Sequence, residues 1–228
     1  MLKFIGCGSA FAINSSNNSA FFIKNKTLNL FDCGETVFEN IVRKKILKGI
    51  EKVNIFITHL HSDHCGSLGT FIFYLSAIGV STDNIRVIFP NKKKISSLLN
   101  IFGVINECKL INRCNDFKDF EIKSFRQKHY DMISYGYLCS INGHTFYFSG
   151  DTCELNTKML NLLLQGKIDK LYIDTDVLNR GGKYHLEFNA LKKYIPKNLR
   201  SHVVCMHLHD NCNKQKIKKE GFDLPELI

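Results

Sequence analysis

Residues 55–66 read Ile-Phe-Ile-Thr-His-Leu-His-Ser-Asp-His-Cys-Gly, an apolar strand that ends at Thr58 and runs at once into His59, His61, Asp63 and His64. Four side chains able to bind a metal thus fall within six residues. A strand end followed by a tight loop can turn His59 and His61 toward one cation and Asp63 and His64 toward a second, imidazole and carboxylate being the usual zinc ligands. A histidine cluster in the core or on the surface is the plain alternative, and the close spacing of four donors argues against it.

Around this motif, short apolar runs alternate with stretches of helical spacing. Runs rich in Phe, Ile and Val at Leu2 to Ile5, Ala20 to Ile23, Leu28 to Phe31, Val53 to Ile57 and Ile85 to Phe89 predict strands. Helical spacing occurs in Val37, Phe38, Ile41, Val42 and Leu47, again from Ile95 to Phe102, and again from Leu155 to Leu164. Asn142-Gly143, between Tyr135 to Ile141 and Thr145 to Ser149, predicts a two-residue hairpin because both positions tolerate positive φ. A strand at Lys170 to Ile173, a helix from Glu187 to Tyr194, a strand at His202 to Met206 and a terminal helix near Asn213 to Lys219 follow. This order fits mixed sheets with helices on their outer faces.

With 228 residues, 44% hydrophobic and 23% charged, the chain has the composition of a globular protein. Only Pro90, Pro196 and Pro225 interrupt it and no Gly/Ser-rich linker divides it, so a single domain over residues 1–228 is expected. The most apolar stretch, Phe71 to Val80, contains Ser76 and falls well short of the roughly 20 residues that span a bilayer. With no signal-peptide pattern at the start, neither membrane insertion nor secretion is expected. The nine cysteines (Cys7, Cys33, Cys65, Cys108, Cys114, Cys139, Cys153, Cys205, Cys212) are odd in number and scattered, which predicts reduced thiols in the cytoplasm. A net charge of +10 favours anionic partners and suits a phosphate-bearing substrate. The lysine runs at Lys92 to Lys94 and Lys214 to Lys219 read more readily as solvated helix faces.

The segment from His59 to His64 resembles the signature of the metallo-β-lactamase superfamily, and its neighbours resemble the tRNase Z-like phosphodiesterase branch. Gly6 to Ala10 resemble that branch's glycine-rich loop, Phe31 to Glu35 its next motif, and Ser149-Gly150-Asp151-Thr152 its bridging-aspartate motif. His207, after the His202 to Met206 strand, matches the last ligand. The resemblance implies an α/β fold, an αββα sandwich of two mixed sheets with outer helices. It further implies that His59, His61 and His129 hold one divalent metal ion, that Asp63, His64 and His207 hold the other, and that Asp151 bridges them. The ions would be Zn2+, with Mn2+ as the alternative. His185, 22 residues before His207, matches a histidine that sits over the scissile phosphate. After it stand Leu186, Glu187 and Phe188, where the tRNA-processing enzymes have small hydroxyl residues. Plainer roles compete at several positions: a surface histidine at His129, a helix cap at Asp151, His209 in place of His207, a histidine merely at a helix N-terminus for His185, and simple packing for Cys65 and Cys153.

The implied activity is that of a hydrolase, a phosphodiesterase using metal-activated water, with Asp63 orienting the nucleophile and His185 stabilising the transition state or protonating the leaving group. His129 and Asp151 are 22 residues apart and the Asn142-Gly143 hairpin fills the interval. The branch's tRNA-gripping arm is inserted there, so a smaller phosphodiester is expected, most of all a cyclic nucleotide. The armless enzymes of the branch, including the anti-Pycsar cyclic-nucleotide phosphodiesterases, work as homodimers, and a homodimer is expected here. An RNA endonuclease of the tRNase Z type suits the positive charge, and a thioester, lactone or β-lactam hydrolase would use the same metals.

Overall fold

A computed structural model of the chain describes residues 1–112, 117–130 and 132–228. Two sheets are built from opposite halves of the sequence. The first contains β1 (Lys3–Gly6), β2 (Ser19–Lys24), β3 (Thr27–Phe31), β4 (Lys52–Phe56), β5 (Ile85–Ile88) and β6 (Lys109–Ile111), side by side in that order. β1, β2 and β3 pair antiparallel, whereas β3 through β6 run parallel. In the second sheet the order is β11 (Val203–Met206), β10 (Lys170–Asp174), β9 (His144–Phe148), β8 (Ser134–Ile141) and β7 (Glu121–Gln127). Here β9 to β11 run parallel and β7 to β9 antiparallel.

Alternation along the strands sorts the side chains into layers. Leu28, Leu30, Val53, Ile55, Ile85 and Val87 pack outward against α1 (Val37–Arg43), α3 (Leu68–Ala77) and α4 (Lys92–Ile101). Leu171, Ile173, Val203 and Cys205 pack outward on the second sheet against α5 (Thr157–Leu164), α6 (Phe188–Tyr194) and α7 (Lys214–Lys219). Between the sheets lies a third cluster rich in aromatic rings. Phe31 is fully buried at its centre, 5.1 Å from the ring of Phe56 in its own sheet and 5.2 Å from Phe148 in the other. The result is the expected αββα sandwich.

Most predicted elements stand within a residue or two of their expected bounds. The helix expected to reach Leu47 stops at Arg43, where turns take over. The apolar run from Phe71 belongs mostly to α3, and no helix among the described residues is long and apolar enough to cross a membrane. β6 and β7 were not marked by any run of strong apolar alternation. At Asn142-Gly143 the φ angles are 51° and 78°, the left-handed pair that a tight hairpin turn requires. Lys92 to Lys94 are exposed, as solvated helix faces are. Cys114 lies outside the described residues, and the other eight cysteines are free.

Phe31 joins both sheets, so Phe31→Ala is expected to lower unfolding free energy in urea by about 3–5 kcal/mol, the range for a buried aromatic truncation. A loss under about 1 kcal/mol would mean that this ring does not carry the interface between the sheets.

Candidate metal centre

The loops that follow β3, β4, β7, β9 and β11 carry Asp32, His59, His129, Asp151 and His207 in turn, and β10 ends in Asp174, so one end of the sandwich collects donors from both sheets. The loop after β4 ends in α2 (Ser62–Cys65), a single turn that holds Asp63 and His64. It can lie against the loop after β3 because Gly34 has no side chain: a Cβ there would stand 1.9 Å from the Asp63 carbonyl oxygen. The Cys33 N–H then donates to the His64 carbonyl at 2.8 Å.

Two donor sets lie on either side of Asp151, and a third group, Asp151, Asp174, His185 and His207, overlaps the second. In the first, His61 Nδ1 lies 3.0 Å from His59 Nε2 and 3.4 Å from His129 Nε2. In the second, His64 Nε2 lies 3.2 Å from both Asp63 Oδ2 and Asp151 Oδ1, and His207 Nε2 lies 3.1 Å from Asp63 Oδ2. Asp151 stands between the sets: its Oδ1 faces His64 and His207, while its Oδ2 is 3.8 Å from His59 Nε2. Ligand atoms at about 2.0–2.2 Å from a tetrahedral cation stand roughly 3.3–3.6 Å from one another, close to these spacings. His64 Nε2 and Asp151 Oδ1 are buried without a hydrogen-bond partner, a state that folded proteins rarely tolerate. The residues present therefore fit a pair of divalent cations.

A second tier of groups turns the imidazoles inward. Asp32 accepts from His64 Nδ1 at 2.8 Å, and is itself held by the Thr58 N–H at 2.7 Å and the Thr58 hydroxyl at 2.9 Å. Asp174 accepts from His185 Nδ1 at 2.8 Å and lies 3.4 Å from His207 Nδ1. The Tyr184 carbonyl accepts from His129 Nδ1 at 3.2 Å. For His64 and His129 the contact occupies the nitrogen turned away from the donor set, which fixes the ring and makes it a better ligand.

Charge in this pocket is strongly coupled. Burial pushes against the charged form of His64, but Asp151, Asp63 and Asp32 outweigh it and hold its pKa well above the ordinary value. His207 is likewise opposed by burial and raised to about 10, chiefly by Asp151 and by its contacts to Asp174 and Asp63. Asp63 and Asp151 are held below the usual carboxylate range, the neighbouring histidines overcoming their burial. His59 goes the other way, its burial and the nearby His64 lowering it well below the ordinary value.

His185 is part-buried beside this centre, and Asp174 and Asp151 raise its pKa against the effect of burial. With Nδ1 tied to Asp174, Nε2 is its remaining proton-carrying position. A cavity of about 600 Å3 is lined by Asp63, His129, Asp151, His185 and His207 and also by Phe11, Arg180 and Tyr184. His209 belongs to neither donor set: its ring bonds Ser9 Oγ at 3.0 Å and Arg180. Asp151 caps no helix, since Asn156 caps α5. Cys65 is buried with its thiol pushed up to about 12, mainly by burial, and neither it nor Cys153 joins a donor set. Sequence reasoning missed Asp174, whose only signal is an acid ending the strand before Thr175-Asp176, and missed the part Asp32 plays beneath His64.

The two sheets with their outer helices are those of the metallo-β-lactamase fold. The metallo-β-lactamase fold protein YhfI from Bacillus subtilis superposes with a TM-score of 0.79 at 16% identity, covering 98% of this chain and 94% of that one. The chain belongs to the anti-Pycsar protein Apyc1 family, whose sequence model matches residues 1–100 and 84–224. The anti-Pycsar protein Apyc1 of Paenibacillus harenae is 23% identical over 93% of this chain and 91% of its own length. Ribonuclease Z of Porphyromonas gingivalis is 38% identical, but the match spans 33% of this chain and only 25% of that protein.

Asp32→Ala is expected to weaken metal binding about 10- to 100-fold with the fold retained, because it releases the His64 ring without removing a donor. Competition with a chromophoric chelator checks this, and unchanged affinity would remove Asp32 from the site's architecture. Because a cation must displace the protons that His64 and His207 hold, binding should release protons and strengthen as pH rises from about 5.5 to 7.5. Calorimetry in buffers of different ionisation enthalpy reads the protons directly, and affinity independent of pH would contradict the assignment.

Proposed function

We propose that the chain is a two-metal phosphodiesterase that hydrolyses cyclic nucleotides. The observation that carries this reading is the Asp151 carboxylate, which presents one oxygen to each donor set. His59, His61 and His129 would hold one ion, Asp63, His64 and His207 the other, and Asp151 both, with Zn2+ favoured over Mn2+ by the imidazole-rich donors. A pair of ions so held would supply hydroxide at neutral pH and would offset charge developing on the attacking and leaving oxygens. Asp63, at the cavity wall, orients the attacking nucleophile and accepts its proton. His185, kept protonated by Asp174, donates to the departing alkoxide. Arg180 offers the cavity a guanidinium anchored by its own backbone and side chain on Asp176, at 2.9 and 3.4 Å, which suits a phosphate oxygen.

Substrate size follows from what surrounds the centre. Between His129 and Asp151 the described residues hold only the tight β8–β9 hairpin and short loops. A cavity of about 600 Å3 accommodates a mononucleotide. The family membership and the near full-length similarity to the Paenibacillus harenae protein support the same choice. Phe11 and Ile13, on the loop beside the cavity, are 86% and 92% exposed, which supports a twofold dimer in which a second copy covers them. The free cysteines support residence in the reducing cytoplasm. Cleavage of RNA is the second reading, favoured by the net charge of +10 and the similarity to ribonuclease Z.

Cyclic mononucleotides should be opened at about 150 mM salt with little cleavage of precursor tRNA, since diffuse lysine contacts to RNA weaken steeply with salt. Efficient removal of a tRNA 3′ trailer with no cyclic nucleotide opened would make RNA the substrate. His185→Ala should lose about 10² to 10⁴ in kcat on a cyclic nucleotide and far less on bis(p-nitrophenyl) phosphate, whose leaving group needs no proton. An equal loss on both would remove the proton-donor role.

A further inference from the structure

Midway along β3, β4 and β5, three polar side chains cross the first sheet in register. Asn29 pairs with Asn54, and Asn54 with Arg86. By alternation they share the face that carries Phe31, Phe56 and Ile88 two residues on, the face that packs between the sheets. Asn29 and Asn54 are buried, and the Asn54 amide donates to Asn29 Oδ1 at 2.8 Å. Asn54 Oδ1 and Arg86 Nε are buried without a hydrogen-bond partner, and Arg86 forms no ion pair among the described residues. Arg86 as a whole is half-buried, and the dry, unpaired nitrogen at its inner edge is unfavourable, a condition that an anion beside the guanidinium relieves.

A cavity of about 260 Å3 opens over this row. Lys24, Lys52 and Lys118 line it with Arg86, as do the rings of Phe117 and Phe120, which stack at 5.0 Å. Among the described residues Asp119 is the carboxylate on its wall, and it accepts from the Asn25 amide at 2.8 Å. Asp83, in the turn before β5, is held by Lys109 at 2.7 Å and feels the charge of Arg86 only as a weaker, longer-range attraction, with no ion pair between them. We propose that this cavity is a second ligand site, taking a small phosphate monoester that carries a flat ring. Arg86 and Lys52 bind the phosphate oxygens, and the phenylalanine rings face the organic part. About five residues of β4 and its following loop, roughly 16 Å of extended chain, separate Asn54 from His59, so the site is distinct from the metal centre.

Calorimetric titration of the metal-loaded protein with phenyl phosphate, against inorganic phosphate and sodium chloride at equal ionic strength, tests this. Phenyl phosphate should bind more tightly than inorganic phosphate. Arg86→Met should weaken it at least tenfold and leave hydrolysis at the metal centre unchanged. The double variant Lys52→Met, Lys118→Met should weaken it likewise, and it decides the matter alone if Arg86→Met does not fold. Wild-type binding no stronger than chloride, or binding that these variants leave intact, overturns the proposal. Because hydrolysis is measured separately, failure here leaves the proposed activity standing.

Discussion

Four carboxylates, Asp32, Asp63, Asp151 and Asp174, are buried together at one end of the sandwich, and among the described residues their ion-pair partners are all histidines. Among the described residues no lysine or arginine forms an ion pair with these four. Buried carboxylates must be neutralised, by protons or by metal ions. Protons on His64 and His207 serve when no cation is present, which is why both imidazoles are raised so far. Cations bound there would replace those protons with more charge per site. The rest of the molecule is organised to keep this charge out of water and in register.

That organisation explains two strained residues. Asp32 and His207 take φ angles of 61° and 60°, a region that residues other than glycine seldom enter. Both sit where a strand ends and must turn a polar side chain into the space between the loops. Aromatic packing between the sheets holds the two strand ends at fixed distance, so the backbone of each loop is over-determined and the strain persists. Asp151 can face both donor sets only because β9 and β4, from different sheets, end side by side.

How much of this was legible in the chain differs from element to element. The apolar runs that became β2 to β5 and β9 to β11 were readable because burial on both faces demands continuous Phe, Ile and Val. β7 was not, since Glu121 to Gln127 alternates with charge and its pairing with β8 rather than its composition makes it a strand. His59 to His64 announced a metal centre through local spacing. His129, Asp151 and His207 are distant in sequence and rested on resemblance, and the structure brings them to the predicted neighbours. Asp174 carried no such pattern: an acid after a strand has meaning only once His185 and His207 are placed around it.

The central claim is that the buried constellation exists to hold two cations on either side of Asp151. Anomalous diffraction from crystals of the metal-loaded protein, collected at the absorption edge of the bound ion, tests it most directly. Two peaks roughly 3.5–4 Å apart are expected, one among His59, His61 and His129 and one among Asp63, His64 and His207, with the Asp151 carboxylate between them. A single peak, or two peaks neither of which touches Asp151, would contradict the account.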